Sequence, residues 1–172
     1  MNSTIHPLVS LAIRSVQHHI EKGCPLPCPD PLPKELQIQA GTFISIKKNG
    51  LLRGCIGTIH PKYKNLAEEI ILNAIKAANE DPRFPPIEKK ELGQLTFSVD
   101  VLTPPEKIED TSSLDVKRYG LIVQTQSKKG LLLPDLEIIK SVDQQLKTCL
   151  KKGGIKNTDS YELYRFEVKR FK

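Results

Sequence analysis

The sequence has no tryptophan, one methionine and an aromatic fraction of only 5%. A surface that stacks bases on aromatic rings has little to be built from. No apolar run approaches the ~20 residues that cross a bilayer, which excludes a membrane-spanning helix. The N-terminus lacks a basic segment followed by an apolar run, so no signal peptide is expected. A phosphate-binding glycine loop, an internal repeat and a regular βαβ series are all missing, which removes the common nucleotide-binding and repeat architectures. Cysteine is sparse, at four residues: Cys24, Cys28, Cys55 and Cys149. Without an export signal they read as free thiols in a reducing, cytoplasmic setting. The Cys24–Cys28 spacing has no second pair to complete a zinc site. His18 is the one further ligand that could converge, and no metal is expected.

What is present describes an ordinary globular chain. Its 172 residues are 38% hydrophobic and 27% charged, enough for one domain with its own core and a smaller lobe. The formal net charge of +6 is spread over short lysine pairs with acids interleaved. No arginine-rich arm appears, so nucleic-acid binding is not expected.

Residues 42–59, TFISIKKNGLLRGCIGTI, are the organising stretch. Asn49-Gly50 between two alternating arms predicts a β-hairpin with positive φ at both turn residues. Strict alternation along the second arm places Arg53 and Cys55 on one face and Leu52, Gly54 and Ile56 on the other. A thiol beside a guanidinium, flanked by Gly54 and Gly57, is the place where chemistry is most readily imagined. The guanidinium would lower the thiol pKa, and backbone amides near Gly54 or Gly57 would meet a developing oxyanion. His60 is the nearest base by sequence.

Around this hairpin the pattern predicts a helix over 7–22 ended by Gly23, then a proline-rich loop, CPLPCPDPLP, over 24–33. A second amphipathic helix spans 65–79, with Asn73 at the edge of its apolar stripe and glutamates at its start. The turn EDPRFPP, 80–86, offers Arg83 as a partner for Glu80 or Asp81, with Phe84 as a core plug. A half-buried strand runs over 92–102 and a hairpin over 119–133. A helix capped by Ser141 carries Cys149 on its buried stripe. The last strand covers 161–171, with Tyr164, Phe166 and Val168 on its apolar face. Three helices and about seven strands, joined by hairpins and long mixed connections, give an α+β fold with helices on a mostly antiparallel sheet.

LLRGCIGTI, residues 51–59, resembles the signature of the AMMECR1 domain family. The lead-in GTFISIKKNG, the EDPRFPP turn, LTFSVDVLTPPE, GLLLP, LKTCLKKGGI and YELYRFEV resemble that family's further blocks, in order along nearly the whole chain. The resemblance implies a single domain over 1–172 with two interwoven subdomains around a cleft. It also implies association with a Memo-like protein and a radical-SAM protein in some prokaryotes. Carried over by position, its cleft residues are Arg53, Cys55, Asn73, Glu80 and Arg83, with Gly54 and Gly57 as the flanking ligand-binding glycines. The chain departs from the pattern at 135–142, where many members carry a tryptophan.

Three functions follow as expectations. One is a small-molecule enzyme using Cys55 with Arg53. Another is a ligand- or protein-binding adaptor in which Cys55 packs. The third is an RNA-associated role, which needs a contiguous basic face. The sequence implies no particular cofactor.

Overall fold

The computed structural model describes residues 5–172. Among them are three α-helices and seven strands, in two compact units. Unit 1 runs to Leu102 and takes in Lys169–Lys172, and unit 2 is Thr103–Val168. The fold is α+β, with antiparallel strand pairing throughout the registered ladders. No helix of the described residues is long and apolar enough to cross a membrane.

In unit 1, β1 (Thr42–Lys48), β2 (Leu51–Gly57) and β3 (Leu95–Leu102) pair in the order β2–β1–β3. The hairpin turn has Asn49 at φ 51° and Gly50 at φ 81°, as Asn-Gly predicts. Helix α1 (Pro7–Lys22) starts with proline in its first turn, where the missing N–H costs nothing, and ends on left-handed Gly23. Helix α2 (Leu66–Asn79) is capped by Asn65, whose side chain accepts the Glu68 N–H at 2.9 Å. Both helices cover one sheet face. Ile44 and Ile46 of β1, Val99 of β3, Val16 of α1 and Ile70 of α2 are fully buried together there. Phe84, expected as the core plug of the EDPRFPP turn, is only half-buried, and Ile87 enters the core instead.

β2 is not regular. Its partners step from Ile46↔Gly54 to Lys47↔Leu52, leaving Arg53 as an extra, unpaired residue. This β-bulge re-aims the Arg53 side chain and breaks the alternation from which a shared face with Cys55 was expected.

Unit 2 holds β4 (Glu106–Ile108), β5 (Tyr119–Gln124), β6 (Lys129–Leu132) and the first seven residues of β7 (Glu162–Phe171), in the order β4–β7–β5–β6. Helix α3 (Val142–Gly153) is capped by Ser141, which accepts the Gln144 N–H, and stops at left-handed Gly154. Its Cys149 and Leu150 pack with Leu121, Val123 and Leu163. The β7 expectation needs one correction. Leu163 supplies the core contact under α3, and Tyr164 instead hydrogen-bonds Glu162 at 2.7 Å. Phe166 is buried beside its cross-strand partner Gly120, where a Cβ would strike the ring.

Candidate functional site

The RGC motif of β2 and the DPRFPP turn after α2 bind each other. From the bulge, the Arg53 guanidinium forks onto Glu91, with Nε to Oε1 at 3.1 Å and Nη2 to Oε2 at 2.9 Å. Its remaining donors reach the carbonyls of Pro85 (2.8 Å) and Pro86 (3.2 Å). Lys48 adds a third cationic donor to Glu91 at 3.0 Å. Arg53 holds the Glu91 carboxyl down at about 2, helped by the Glu88 N–H. A bidentate, nearly buried pair of this kind is a structural clamp. The expectation that Arg53 activates the Cys55 thiol is therefore corrected. Its charge is spent on Glu91, on the far side of the bulge.

In return, the turn caps β2, an edge strand. Asp81 Oδ2 accepts the Cys55 N–H at 2.8 Å, and Arg83 Nη2 donates to the Cys55 carbonyl at 3.4 Å. Arg83 also grips Asp81 through Nε (2.9 Å) and Nη2 (2.7 Å). These hydrogen bonds hold the buried Asp81 carboxyl well below the usual carboxylate range. The two side chains thus satisfy the outward backbone groups of Cys55 where a neighbouring strand would, which protects the edge from pairing.

With its N–H turned outward, Cys55 forms a non-hydrogen-bonded pair with Ser45 of β1, the pairing in which side chains come closest. Sγ and Oγ lie 3.3 Å apart. The next strand continues the row, because Ser45 pairs with Ser98. Cys55, Ser45 and Ser98 are all partly accessible and lie on the sheet face opposite α1 and α2. One row along, Gly57 and Asp100 flank Phe43. Asp100 is buried against Arg170, which reaches it at 2.7 and 2.9 Å. Arg83, with 54% of its side chain exposed, is an accessible cation that reaches the Cys55 end of the row through the Cys55 carbonyl.

Burial pushes the Cys55 thiol above its ordinary value. The hydrogen bond to Ser45 and the charge of Arg83 pull the other way, and Asp100 and Asp81 reinforce the rise. Gly54 serves packing. A Cβ there would sit 2.1 Å from the Ala77 carbonyl oxygen of α2, so only glycine lets helix and strand approach this closely. By alternation its N–H turns toward β1, and the Cys55 N–H is taken by Asp81, so neither is available as an oxyanion donor. A Cβ at Gly57 would lie 2.2 Å from the Thr42 carbonyl oxygen.

Asn73 and Glu80 do not join the row. Asn73 is fully buried on the helix side and donates to Thr42 Oγ1 (2.9 Å) and Thr58 Oγ1 (3.2 Å). Thr58 donates in turn to buried Glu69, which also accepts the N–H groups of Lys62 (2.8 Å) and Tyr63 (3.0 Å). This network ties α2 to the end of β2. Glu80 is an exposed helix cap. His60 is exposed, and among the described residues no imidazole hydrogen-bonds the Cys55 thiol. Elsewhere, Cys149 is buried, donates to the Leu121 carbonyl at 3.4 Å and has its pKa pushed up to about 12 by burial. Cys24 lies 3.6 Å from His18 Nε2, and no cluster of three or more metal-ligating side chains occurs among the described residues.

Sequence reasoning missed Asp81 as the cap of Cys55, Glu91 as the partner of Arg53, and the serines of the row. The serines were findable, since aligning the three strands in register places both beside Cys55.

The AMMECR1 family model matches residues 9–171. The chain belongs to the AMMECR1 family. A Thermotoga maritima protein is 45% identical over 170 residues, which cover 97% of this chain and 98% of that one. A Clostridium acetobutylicum protein is also 45% identical, over 96% of this chain but only 36% of its own length. The crystal structure of the uncharacterized protein PH0010 from Pyrococcus horikoshii superposes with a TM-score of 0.88 at 33% identity. That match covers 95% of this chain and 88% of the other.

Proposed function

We propose that the Cys55–Ser45–Ser98 row is a binding site for a small polar ligand, with Arg83 as its electrostatic anchor and Cys55 as a neutral hydrogen-bonding thiol. The observation that carries this reading is the state of Cys55. Burial raises its thiol, and among the described residues no base is hydrogen-bonded to it. A resting nucleophile needs the opposite on both counts. The row offers three small hydrogen-bonding side chains, and Arg83, although its Nε and Nη2 already fork onto Asp81, is half-exposed and adds positive charge for a carboxylate or another anionic oxygen group.

A cysteine-dependent enzyme is the second reading, and one observation favours it. The Arg83 charge lowers the Cys55 pKa, so a ligand that displaced Asp81 from Arg83 would leave that charge free to stabilise a thiolate. The two readings separate in a metabolite screen by thermal shift and ligand-observed NMR on wild type, Cys55→Ser and Arg83→Ala. Binding that survives Cys55→Ser and weakens in Arg83→Ala, with no conversion of the ligand, supports the binding site. Conversion by wild type alone supports the enzyme.

The Clostridium relative extends far beyond the matched segment, which supports a domain that works beside another protein. The Memo-like and radical-SAM partners implied by the family remain the proposals to test by pull-down.

A further inference from the structure

Unit 2 contains an open cavity of about 400 Å³ lined by Thr125, Gln126, Ser127, Lys128, Asp159 and Ser160. Its volume falls within the range of small-ligand sites. Its walls are the β5–β6 turn and the loop entering β7. The turn is preorganised, because Thr125 Oγ1 accepts the N–H groups of Ser127 (3.3 Å) and Lys128 (2.9 Å). The opposite wall is fixed by Asp159, which accepts the Lys156 N–H at 2.9 Å.

The charge around this cavity is lopsided. Unit 2 has eleven Lys and Arg against ten Asp and Glu, close to neutral. Yet five of its lysines gather near the cavity. Lys128 Nζ donates to the Gly154 carbonyl at 2.7 Å, joining the turn to the end of α3. The close approach of Lys129 to Gly153 brings that strand start onto the same helix end, which carries Lys151 and Lys152 in its last turn. Lys156 follows. All five are exposed, and among the described residues none is ion-paired with a carboxylate. Glu162, one step up the neighbouring strand, is already paired with Lys107. The Lys128 ammonium is thus held in place by a neutral carbonyl and not by a carboxylate, at the edge of a bowl lined with hydroxyl and amide groups and with one carboxylate, Asp159, on the opposite wall.

We propose that this cavity binds a small phosphorylated molecule with a hydroxyl-bearing body. The phosphate sits against Lys128 within the lysine cluster, and the body hydrogen-bonds Thr125, Gln126, Ser127 and Ser160. Lysine acts here as a point charge for phosphate, with hydroxyls and amides giving orientation. No aromatic ring lines the cavity, so it offers no stacking platform for a nucleobase.

The test is titration of isotope-labelled protein with ribose 5-phosphate, ribose, inorganic phosphate and a short single-stranded oligonucleotide, followed by amide shifts. Ribose 5-phosphate should shift the amides of 125–128 and 154–160 and bind more tightly than inorganic phosphate, with ribose silent. Lys128→Gln keeps a donor to the Gly154 carbonyl but removes the charge, and should weaken binding about tenfold, or ~1.4 kcal/mol. Ser160→Ala, which leaves the turn intact, should weaken it less. Equal binding of inorganic phosphate and ribose 5-phosphate would mean an adventitious ion only and would overturn the proposal. So would an absence of shifts in this cavity. Oligonucleotide binding through Lys151 and Lys152 without shifts in the bowl would also overturn it, in favour of a nucleic-acid surface.

Discussion

The carboxylate of Asp81 takes the place of a neighbouring strand for Cys55, accepting its outward N–H at 2.8 Å. Cys55 is therefore fixed by its backbone as well as by its thiol. The side chains that flank it in sequence have other work. Arg53 points away to Glu91, and Gly54 admits α2. Its thiol meets Ser45 of the neighbouring strand, and the charges that act on it come from 26 to 45 residues away: Asp81, Arg83 and Asp100.

Arg53→Ala should destabilise the protein by about 3 kcal/mol, since it takes the bidentate partner from the nearly buried Glu91 carboxylate and leaves it the partly exposed Lys48 ammonium. Arg53→Lys should recover only part of this, because lysine has no fork for Glu91 and the two proline carbonyls. Denaturant unfolding measures both. The pH dependence of Cys55 alkylation in folded Arg53→Lys should match wild type. A midpoint that moved with Arg53 would restore that residue as the activator of the thiol.

The Glu91 clamp has a defined pH signature. Its carboxyl titrates at about 2 in the folded protein, against ~4.3 unfolded. A depressed folded pKa adds stability that is complete above the unfolded value and is lost as pH falls toward the folded one. Glu91→Gln should therefore be less stable than wild type at neutral pH. The gap should narrow between about pH 5 and pH 2. A constant gap across that window in unfolding titrations would contradict the assignment.

Gly54→Ala should cost at least about 2 kcal/mol, because the new methyl meets helix backbone and not a movable side chain. Asn73→Ala should cost about 2 kcal/mol by leaving buried Thr42 and Thr58 oxygens short of a donor. In folded protein neither should change ligand affinity at the Cys55 row. A selective loss of binding without a loss of stability would return Asn73 to the site.

Much of the fold was legible in the chain. Asn49-Gly50 set the hairpin, Gly23 and Gly154 ended helices, and Ser141 capped one, because these are local preferences with local causes; Asn65, expected inside its helix, is the cap. The site was legible only as two motifs. Alternation is a sound rule for a regular strand, but the bulge at Arg53 comes from pairing with β1, and no single strand announces it. The partnership of Arg53 with Glu91 spans 38 residues and depends on where the turn after α2 lies. Asn73 was placed correctly at the edge of the apolar stripe, and its buried partners on β1 and after β2 decided its role.

The central claim is that Cys55 is a neutral, half-buried thiol that binds and does not attack. Rate-resolved alkylation of the folded protein across pH, read residue by residue by peptide mass, tests it directly. A neutral, half-buried Cys55 should show a midpoint above the ~8.5 of a free thiol. That midpoint should rise further in Arg83→Ala, with exposed Cys24 reacting faster and buried Cys149 slowest. A Cys55 midpoint below that of a free thiol, with Cys55 the fastest of the four to react, would contradict it and make the cysteine-dependent enzyme the better account.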